Sequence, residues 1–482
     1  MTPERRDAPG PRGWPWVGSF PGFARDPLRF WTQLAARYGG VARYRIGAEQ
    51  HFLISDPESI GHVLQHDTVR YYRGKYHEFL KPAFGEGLLT TNDEPWRQQR
   101  RLVQPAFAKN HISTWLDLVV STTEARIATW NGGAAAPPLD LAREMAGLIQ
   151  EINAKILFGR TLPYHANPPL LEAVGTVNDS LLRQVKRAMV LGGLLNRLPL
   201  PDARRFRHAV ALLHQTVDRL IARDRAREDG EDALYAWLTR AAERAETPPG
   251  ELHLRDQLVT LFLAGHETTA VALAWTFYYL TEHSEWTDLV YDEVATVLND
   301  RAPAVEDLAR LVQTRRAIDE ALRLRPPIYG IGRRARIEDE VGGYRIPAES
   351  PVIVSPFVTH HHPDYWDHPE RFDPDRFAPE PASGRLPFSY LPFGGGPHRC
   401  IGRHLAMMEL LAVVALVVRA FRLAAPPGRR VALHLGITLR PHPGVPVLLT
   451  RRERGAGSGS SAESGGESPP ESGNPRPACW PR

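Results

Sequence analysis

The stretch Phe393-Gly-Gly-Gly-Pro-His-Arg-Cys-Ile-Gly402 decides the fold, because it sets a cysteine in a glycine-rich turn. Glycine accepts positive φ angles and lets a backbone approach a flat group closely. An apolar run from Leu405 to Val418 follows, which predicts that Cys400 lies just before a buried helix. Free N–H groups at a helix start favour an anion, so we expect a thiol of lowered pKa that binds a soft metal as a thiolate.

The alternative for Cys400 is a buried structural cysteine, because free cysteine is among the most buried residue types. The second of the 2 cysteines, Cys479, lies in a C-terminal segment of Gly, Ser, Glu and Pro. Such a composition cannot bury enough apolar surface to fold, so we expect residues 453–482 to form a disordered tail. Two distant cysteines also exclude a disulfide framework and fit a reducing compartment.

Bulk composition is that of an ordinary soluble globular protein, with 43% hydrophobic and 24% charged residues in a chain of 482. The formal charge of +4 is mildly basic, and no Lys/Arg block stands out, so nucleic-acid binding is not expected. Residues 1–18 form a proline-rich arm without the apolar region of a signal peptide. No uninterrupted apolar run reaches roughly 18 residues, so we expect no membrane anchor and a cytoplasmic location.

A second informative stretch interrupts the apolar segment that runs from Leu258 to Leu280 and predicts a long buried helix. It reads Ala264-Gly-His-Glu-Thr-Thr269. Burying Glu267 and Thr268 there is costly unless the two side chains have a task. An acid beside an alcohol can order water and deliver protons to bound oxygen. The alternative is a threonine bonded back to its own helix and a glutamate paired with a distant base.

The small residues of this stretch predict where a ligand would lie. Ala264 and Gly265 leave room beside the helix. Thr268 follows Ala264 by one helical turn, so its hydroxyl can bond the Ala264 carbonyl and locally distort the helix.

A third stretch places Trp96 and Arg100 on one face of a helix, with Asp93 as the expected N-cap and Pro95 in the first turn. An indole N–H beside a guanidinium makes a good carboxylate receptor. The alternative is a tryptophan that packs on an arginine stem at the surface.

Together these stretches resemble the cytochrome P-450 family over about residues 9 to 450. The resemblance implies a mainly α fold with a small β region, in one domain spanning residues 1–452. It implies haem b between the long central helix and the Cys400 loop, with Cys400 as the iron ligand. Most members carry Arg where this chain has His398. The haem contacts implied around the iron are Ala264, Phe393, His398, Cys400 and Gly402.

The resemblance also assigns the haem propionates and the acid–alcohol pair. Trp96 and Arg100 are implied to hold one propionate, and Arg334, five residues before Asp339, the other. Arg333 is the rival if the strand register slips by one residue. Glu267 and Thr268 become the catalytic pair for oxygen activation.

Other parts of the resemblance are structural. Glu320-x-x-Arg323, with Arg376 of a Phe-x-Pro-x-Arg-Phe stretch, is implied to lock the core behind the haem loop. His360 to His362 could suggest a metal cluster, but we interpret them as a structural turn. The stretch Leu181 to Leu200 corresponds to a mobile lid over the substrate channel, and the sequence around Tyr44 to Ser55 predicts two short strands followed by a helix.

The implied activity is a monooxygenase that inserts one oxygen atom of O2 into a C–H bond. Electrons are expected from a ferredoxin and its NAD(P)H-dependent reductase, and the protein is expected to be a monomer. The predicted pocket is mostly apolar, which favours a terpenoid or fatty-acid-like substrate; its residues are Phe262, Ile328, Ile331 and Ile437. A haem-thiolate peroxygenase or isomerase and a non-catalytic haem sensor are the alternatives, and the Glu267–Thr268 pair argues against both.

Overall fold

The computed structural model describes residues 6–133, 136–159, 168–191, 201–225, 233–244 and 253–452. The predicted tail at 453–482, Cys479 and the second half of the predicted lid lie outside these residues. Within them the chain forms α-helices α1 to α18: Phe20–Arg25, Pro27–Tyr38, Pro57–Gln65, Lys81–Phe84, Asp93–Val103, Lys109–Ile112, Leu116–Ala128, Leu141–Phe158, Pro168–Leu191, Pro201–Arg225, Leu234–Arg244, Leu254–Glu282, Ser284–Leu298, Val305–Leu308, Val312–Leu324, Pro356–His360, Pro379–Ser383 and Arg403–Ala420.

The strands are short and contain far fewer residues than the helices. In chain order β1 to β13 are Arg6–Asp7, Val41–Ile46, Glu49–Ile54, Tyr71–Tyr72, Leu139–Asp140, Ile331–Ala335, Asp339–Val341, Tyr344–Ile346, Pro351–Val354, Phe421–Ala424, Ala432–Leu435, Leu439–His442 and Pro446–Arg451. The largest sheet has five strands in the order β2-β3-β9-β6-β4, and β3 pairs with β9 in parallel. This mainly helical chain with a small β region is the predicted fold class.

The early strands confirm the predicted hairpin. Strands β2 and β3 pair antiparallel with Val41 opposite Ile54, and they turn at Gly47, which has φ +59°. The Asp56 side chain then accepts the Ser59 N–H and caps α3.

One cap differs from the prediction. Helix α5 begins at Asp93, so Asn92 occupies the N-cap position, and neither side chain caps the helix. The Asp93 carboxylate instead pairs with Arg336 at 2.7 Å. The Asn92 side chain accepts the Arg73 N–H at 2.9 Å, which ties the start of α5 to a different segment.

Helix α12 is the central element, and it extends the predicted apolar segment at both ends. It packs against α8, α15 and α18, and most of its side chains are buried. Within the described residues it is the one helix long and apolar enough to cross a membrane, and 72% of its most apolar window is buried inside the protein. Its hydrophobicity is therefore accounted for by the core.

A buried ion pair holds the end of α15. The Arg323 guanidinium binds both carboxylate oxygens of Glu320, at 2.7 and 2.8 Å, and both side chains are 0% exposed. Its remaining N–H groups donate to the carbonyl oxygens of His360, Pro369 and Arg371. Burial raises the pKa of Glu320 even though Arg323 opposes the shift, so the pair is stable only because every donor has an acceptor.

Arg376, the third predicted member of this network, also lies near Glu320. Arg376 Nε lies 3.4 Å from Glu320 Oε1, and the Asp373 N–H donates to the same oxygen at 2.9 Å. The structure thus brings Glu320, Arg323 and Arg376 together.

We expect Arg323→Ala to lower the free energy of unfolding by about 3–5 kcal/mol, because it leaves Glu320 buried without its partner. Arg97→Ala is the matched control, since Glu94 and Arg97 have the same spacing at 3.2 Å but are 55% and 40% exposed. The control should cost less than about 1 kcal/mol. Urea denaturation followed by circular dichroism measures both, and equal losses would contradict the assigned network.

Candidate functional site

A cavity of about 380 Å³ lies between α12 and the loop that carries Cys400. Thr268 and Cys400 both line it, so the candidate metal ligand and the acid–alcohol stretch share one space. Its apolar wall is formed by Phe84, Leu88, Leu89, Leu261, Ile328, Ile331 and Ile437. Its polar wall is formed by Arg73, His77, Trp96, Arg100, Arg333 and His398.

Backbone hydrogen bonds fix the Cys400 loop. The Leu391 N–H donates to His360 Nε2, the Gly394 N–H to the Leu391 carbonyl and the Cys400 N–H to the Phe393 carbonyl, each at 3.0 Å. Helix α18 begins at Arg403, so the cysteine precedes a helix N-terminus as predicted.

Two glycines of this loop have positive φ, +68° at Gly394 and +64° at Gly396. A Cβ at Gly396 would lie 1.7 Å from the Leu64 carbonyl oxygen at the end of α3. The close approach that demands glycine at this position is therefore to another backbone and not to a flat ligand. Gly394 lines the cavity.

The Cys400 thiol opens into the cavity. Burial raises its pKa, whereas the backbone of Gly402 and the charges of Arg100 and Arg403 act in the opposite direction. The prediction of a lowered pKa is therefore wrong for the chain by itself, because the cost of desolvating the thiolate is larger than these contributions. A metal ion on the sulfur would deprotonate it outright. Gly402 contributes through its backbone, at the N-cap of α18, and does not line the cavity.

The face of α12 toward the cavity carries Ala264, Glu267 and Thr268. The Thr268 hydroxyl donates to the Ala264 carbonyl at 2.7 Å, the contact that the spacing suggested, and the helix continues through it. Gly265 does not make room on this side, because a Cβ there would meet the Asn153 amide of α8 at 3.3 Å.

Phe262 is corrected from a pocket residue to a core residue. It is buried but does not line the cavity, and its ring lies 6.5 Å from that of Phe158 on α8. Successive helical positions turn by about 100°, so Phe262 lies on the side of α12 that packs on α8. The predicted residues Ile328, Ile331 and Ile437 do line the cavity.

Glu267 lies near a base far along the chain, as the alternative interpretation of this stretch predicted, although the sequence did not identify that base. Its Oε1 accepts the Thr438 hydroxyl at 3.0 Å and lies 3.6 Å from Arg440 Nε. Arg440 also pairs with Asp179 of α9. Nothing in the sequence paired Arg440 with either acid.

The polar wall is organised around Asp67, a fully buried carboxylate. It binds His398 Nδ1 at 2.6 Å and Arg333 Nη2 at 2.6 Å. Burial alone would raise the pKa of Asp67, but Arg333 and His398 lower it to about 2. Burial lowers the pKa of His398 to about 4, so at neutral pH the neutral imidazole donates to the carboxylate.

The Trp96 indole stacks near the His398 ring, with centroids 4.0 Å apart. Arg100 donates to the Arg399 carbonyl at 3.1 Å, beside Cys400. The predicted pair Trp96 and Arg100 thus meets the Cys400 loop, and both side chains line the cavity.

Arg334 is corrected, because it does not line the cavity. Neighbouring residues of a strand point to opposite faces, and on β6 it is Arg333 that lines the cavity while Arg334 pairs with Glu49 and the Glu349 carbonyl. Of the two arginines that the sequence left open, Arg333 is therefore the one that lines the cavity.

Arg73 is a cavity residue that no motif indicated. It is buried, and its Nη1 donates to the carbonyls of Leu88 and Thr91 at 2.8 and 2.7 Å. Burial and the nearby Arg333 charge lower its pKa to about 9. A buried guanidinium close to a second one favours an anion between them.

Unpaired donors at this wall fit a group with carboxylates. Trp96 Nε1 and Arg333 Nε are buried and have no hydrogen-bond partner among the described residues. Buried polar atoms in that state are costly unless a ligand satisfies them. An apolar slot with a thiol on one side and unpaired donors at its edge fits a flat metal complex that carries carboxylates.

Comparison with known proteins agrees with this fit. A family model for cytochrome P-450 matches residues 8–449. The chain is 36% identical over 428 residues to cyclooctatin synthase of Streptomyces melanosporofaciens, which covers 88% of this chain and 92% of the relative. The chain belongs to the cytochrome P-450 family.

Two further P-450 relatives come from the same bacterial genus. Cyclooctat-9-en-7-ol 5-monooxygenase of Streptomyces melanosporofaciens is 34% identical over 440 residues, covering 89% of this chain and 94% of the relative. Pentalenene oxygenase of Streptomyces avermitilis is 30% identical over 413 residues, covering 86% and 90%.

Membership fixes the reaction class and the cofactor. This P-450 uses haem b and is a monooxygenase that takes O2, a hydrophobic substrate and electrons from redox partners. The predicted family, fold class and activity are confirmed, and the monooxygenase is favoured over the peroxygenase, isomerase and sensor.

Because Arg333 lines the cavity and Arg334 does not, substituting each of them tests which one helps to retain the haem. We expect Arg333→Gln to speed the loss of haem from this P-450 about tenfold, since a charge-assisted hydrogen bond contributes about 1.5–3 kcal/mol. Arg334→Gln, the matched control on the other face of β6, should leave the rate unchanged. Transfer of haem to apomyoglobin measures it, and faster loss from the control would return the role to Arg334.

Proposed function

We propose that Cys400 is the iron ligand, and that Trp96, Arg100 and Arg333 hold the propionates of haem b, with the neutral His398 ring fixed beside them by Asp67. The observation that carries this is the shared cavity: the Cys400 thiol faces Thr268 of α12 across an apolar space whose polar wall has unpaired donors. When bound, haem b supplies the redox chemistry, activating O2 reductively and allowing one oxygen atom to enter a C–H bond. Arg73 adds a cation to the same wall and favours the ionised propionates.

The protein's own part is to move protons and exclude water. We assign Thr268 to hold water beside Ala264, whose carbonyl accepts the Thr268 hydroxyl. Glu267 is assigned to supply protons, because it borders both this cavity and a second one of about 460 Å³ behind α12. Thr438 and Arg440 orient its carboxylate at that border.

For the substrate we propose a neutral cyclic terpenoid. Two of the relatives are named for cyclooctat-9-en-7-ol and pentalenene, which supports this class. The chemistry of the walls supports it as well: the arginines that line the cavity belong to the polar wall or to the Cys400 loop, and the apolar wall is hydrocarbon. A fatty-acid carboxylate would lack a cation among those apolar residues and pay for its desolvation.

Electrons are proposed to come from a ferredoxin and an NAD(P)H-dependent reductase, in a cytoplasmic monomer. The mildly basic chain, with a formal charge of +4, is compatible with an acidic donor.

The thiolate assignment is tested by the carbon monoxide difference spectrum of the reduced protein. We expect a strongly red-shifted Soret band in the wild type and its loss in Cys400→Ala, because only the thiolate donates enough charge to produce it. Cys479→Ala is the matched control and should keep the band. A red-shifted band that survives in Cys400→Ala would overturn the assignment.

The proton-delivery assignment predicts uncoupling. We expect Thr268→Ala to consume NAD(P)H while forming about tenfold less product per O2, since general-acid groups contribute about a hundredfold or more. Thr268→Ser should restore most of the coupling because it keeps the hydroxyl. Product and peroxide are quantified with a ferredoxin system and a panel of cyclic terpenes and fatty acids. Unchanged coupling in Thr268→Ala would contradict the role.

A further inference from the structure

The loop from Trp14 to Gly18 presents two tryptophans that the proposed function does not use. Among the large hydrophobic side chains of the described residues, Trp16 at 90% exposed and Trp14 at 70% are the two most exposed. Large aromatic surface in water is unfavourable, and such a cluster marks a place where the protein meets something else.

The backbone of the loop is closed on itself and anchored to the rest of the protein. The Trp14 N–H donates to the Gly18 carbonyl at 2.9 Å, and the Gly18 N–H returns a bond to Trp14 at 3.0 Å. Arg45 of β2 donates to the Trp14 carbonyl at 2.8 Å, and its own carbonyl accepts the Ser19 N–H at 2.6 Å. Two strong contacts thus fix the base of the loop to the five-stranded sheet.

The backbone of the loop adopts a strained conformation at Trp16, whose side chain extends into solvent. Trp16 has φ +64°, which is uncommon for a bulky residue. Gly18 has φ +66°, and a Cβ there would lie 2.1 Å from the Arg45 carbonyl oxygen. Strain of this kind persists where the rest of the structure imposes it, and here it projects Trp16 away from the surface.

The surroundings are basic. The segment from Arg6 to Phe30 contains the arginines Arg6, Arg12, Arg25 and Arg29 and the aspartates Asp7 and Asp26. Both carboxylates are engaged, Asp7 by Arg43 at 3.2 Å and Asp26 by the backbone of α2 that it caps. The four arginines and the two aspartates are all exposed, so exposed arginines outnumber exposed carboxylates in this segment. The segment that carries the tryptophans therefore has an excess of positive charge.

An open hollow adjoins the tryptophans. Its volume is about 480 Å³, and its lining includes the apolar side chains of Pro11, Trp14, Pro15 and Phe30. It is separate from the cavity between α12 and Cys400, since the two share no lining residue.

We propose that this surface, the Trp14–Gly18 loop with its flanking arginines, docks the protein on an anionic lipid bilayer. Indole rings prefer the boundary between headgroups and acyl chains, where the N–H stays in a polar layer. Exposed arginines beside them are attracted to anionic headgroups. Aromatic anchors beside exposed arginines match a lipid interface in both apolar and electrostatic character, and the proposed docking is peripheral.

Docking there would bring lipid beside the helix that borders the substrate cavity. The Ala24 carbonyl of α1 accepts a hydrogen bond from Lys186 of α9 at 3.3 Å, and Asn178 of α9 lines the cavity. A hydrophobic substrate dissolved in the bilayer would be concentrated at that flank. This benefit rests on the proposed function, whereas the binding itself does not.

Vesicle flotation of the full-length holoprotein tests the proposal. We expect it to float with vesicles of mixed phosphatidylcholine and phosphatidylglycerol, and much less with phosphatidylcholine alone. The variant Trp14→Ser/Trp16→Asn should bind about tenfold less. Arg12→Ser/Arg29→Ser should bind less and lose part of the salt dependence. The matched control Val69→Ser/Leu386→Ser removes side chains that are 68% and 55% exposed elsewhere and should float like the wild type.

Absence of flotation with the mixed vesicles, or equal flotation of the wild type and the tryptophan variant, would overturn the proposal. So would a dimer in sedimentation velocity that the tryptophan variant abolishes without any vesicle binding, because the loop would then bind a second copy of the chain. The carbon monoxide spectrum of each variant verifies its fold. Flotation needs no turnover, so failure of the terpenoid proposal would leave its result unaffected.

Discussion

The Cys400 loop depends on the buried pair of Glu320 and Arg323, although neither residue touches it. Arg323 Nη1 donates to the His360 carbonyl at 2.7 Å, and its own carbonyl faces His360 Nδ1 at 3.1 Å. Burial lowers the pKa of His360 well below its usual value, so the ring is neutral, with Nδ1–H donating and Nε2 accepting the Leu391 N–H. Leu391 opens the segment that ends at Cys400. One ion pair and one imidazole tautomer thus place the thiol.

Sequence reasoning predicted what local periodicity and turn chemistry control. The β2–β3 hairpin, the long helix α12 and the position of Cys400 before α18 follow from such patterns, because each depends on neighbours in the chain. Sequence reasoning failed where the position or the pKa of a side chain depends on packing against distant parts of the chain. Phe262 is apolar and central, yet only the place of α8 decides that it packs away from the cavity. The sign of the thiol pKa likewise depends on desolvation by the whole fold.

The residues of the polar wall were likewise beyond what local sequence patterns can predict. Arg333 and Arg334 are adjacent and identical in type, and their roles separate only because β6 pairs with β9, with Arg333 opposite Val352. Asp67 and Arg73 belong to no motif, and each becomes important through partners far along the chain. Together with His398 they give a wall in which a buried carboxylate already balances part of the positive charge. The remaining cations suit a ligand with further carboxylates, consistent with haem b.

The position of Glu267 in the helix could be predicted from local sequence, whereas its partners depend on distant packing. Its place beside Thr268 on α12 could be predicted, but its partners join three elements: α12 itself, β12 through Arg440 and α9 through Asp179. Arg440 thus lies between the two carboxylates, 3.6 Å from Glu267 and in direct contact with Asp179. The acid assigned to proton supply is therefore connected, through one arginine, to the helix that borders the substrate cavity.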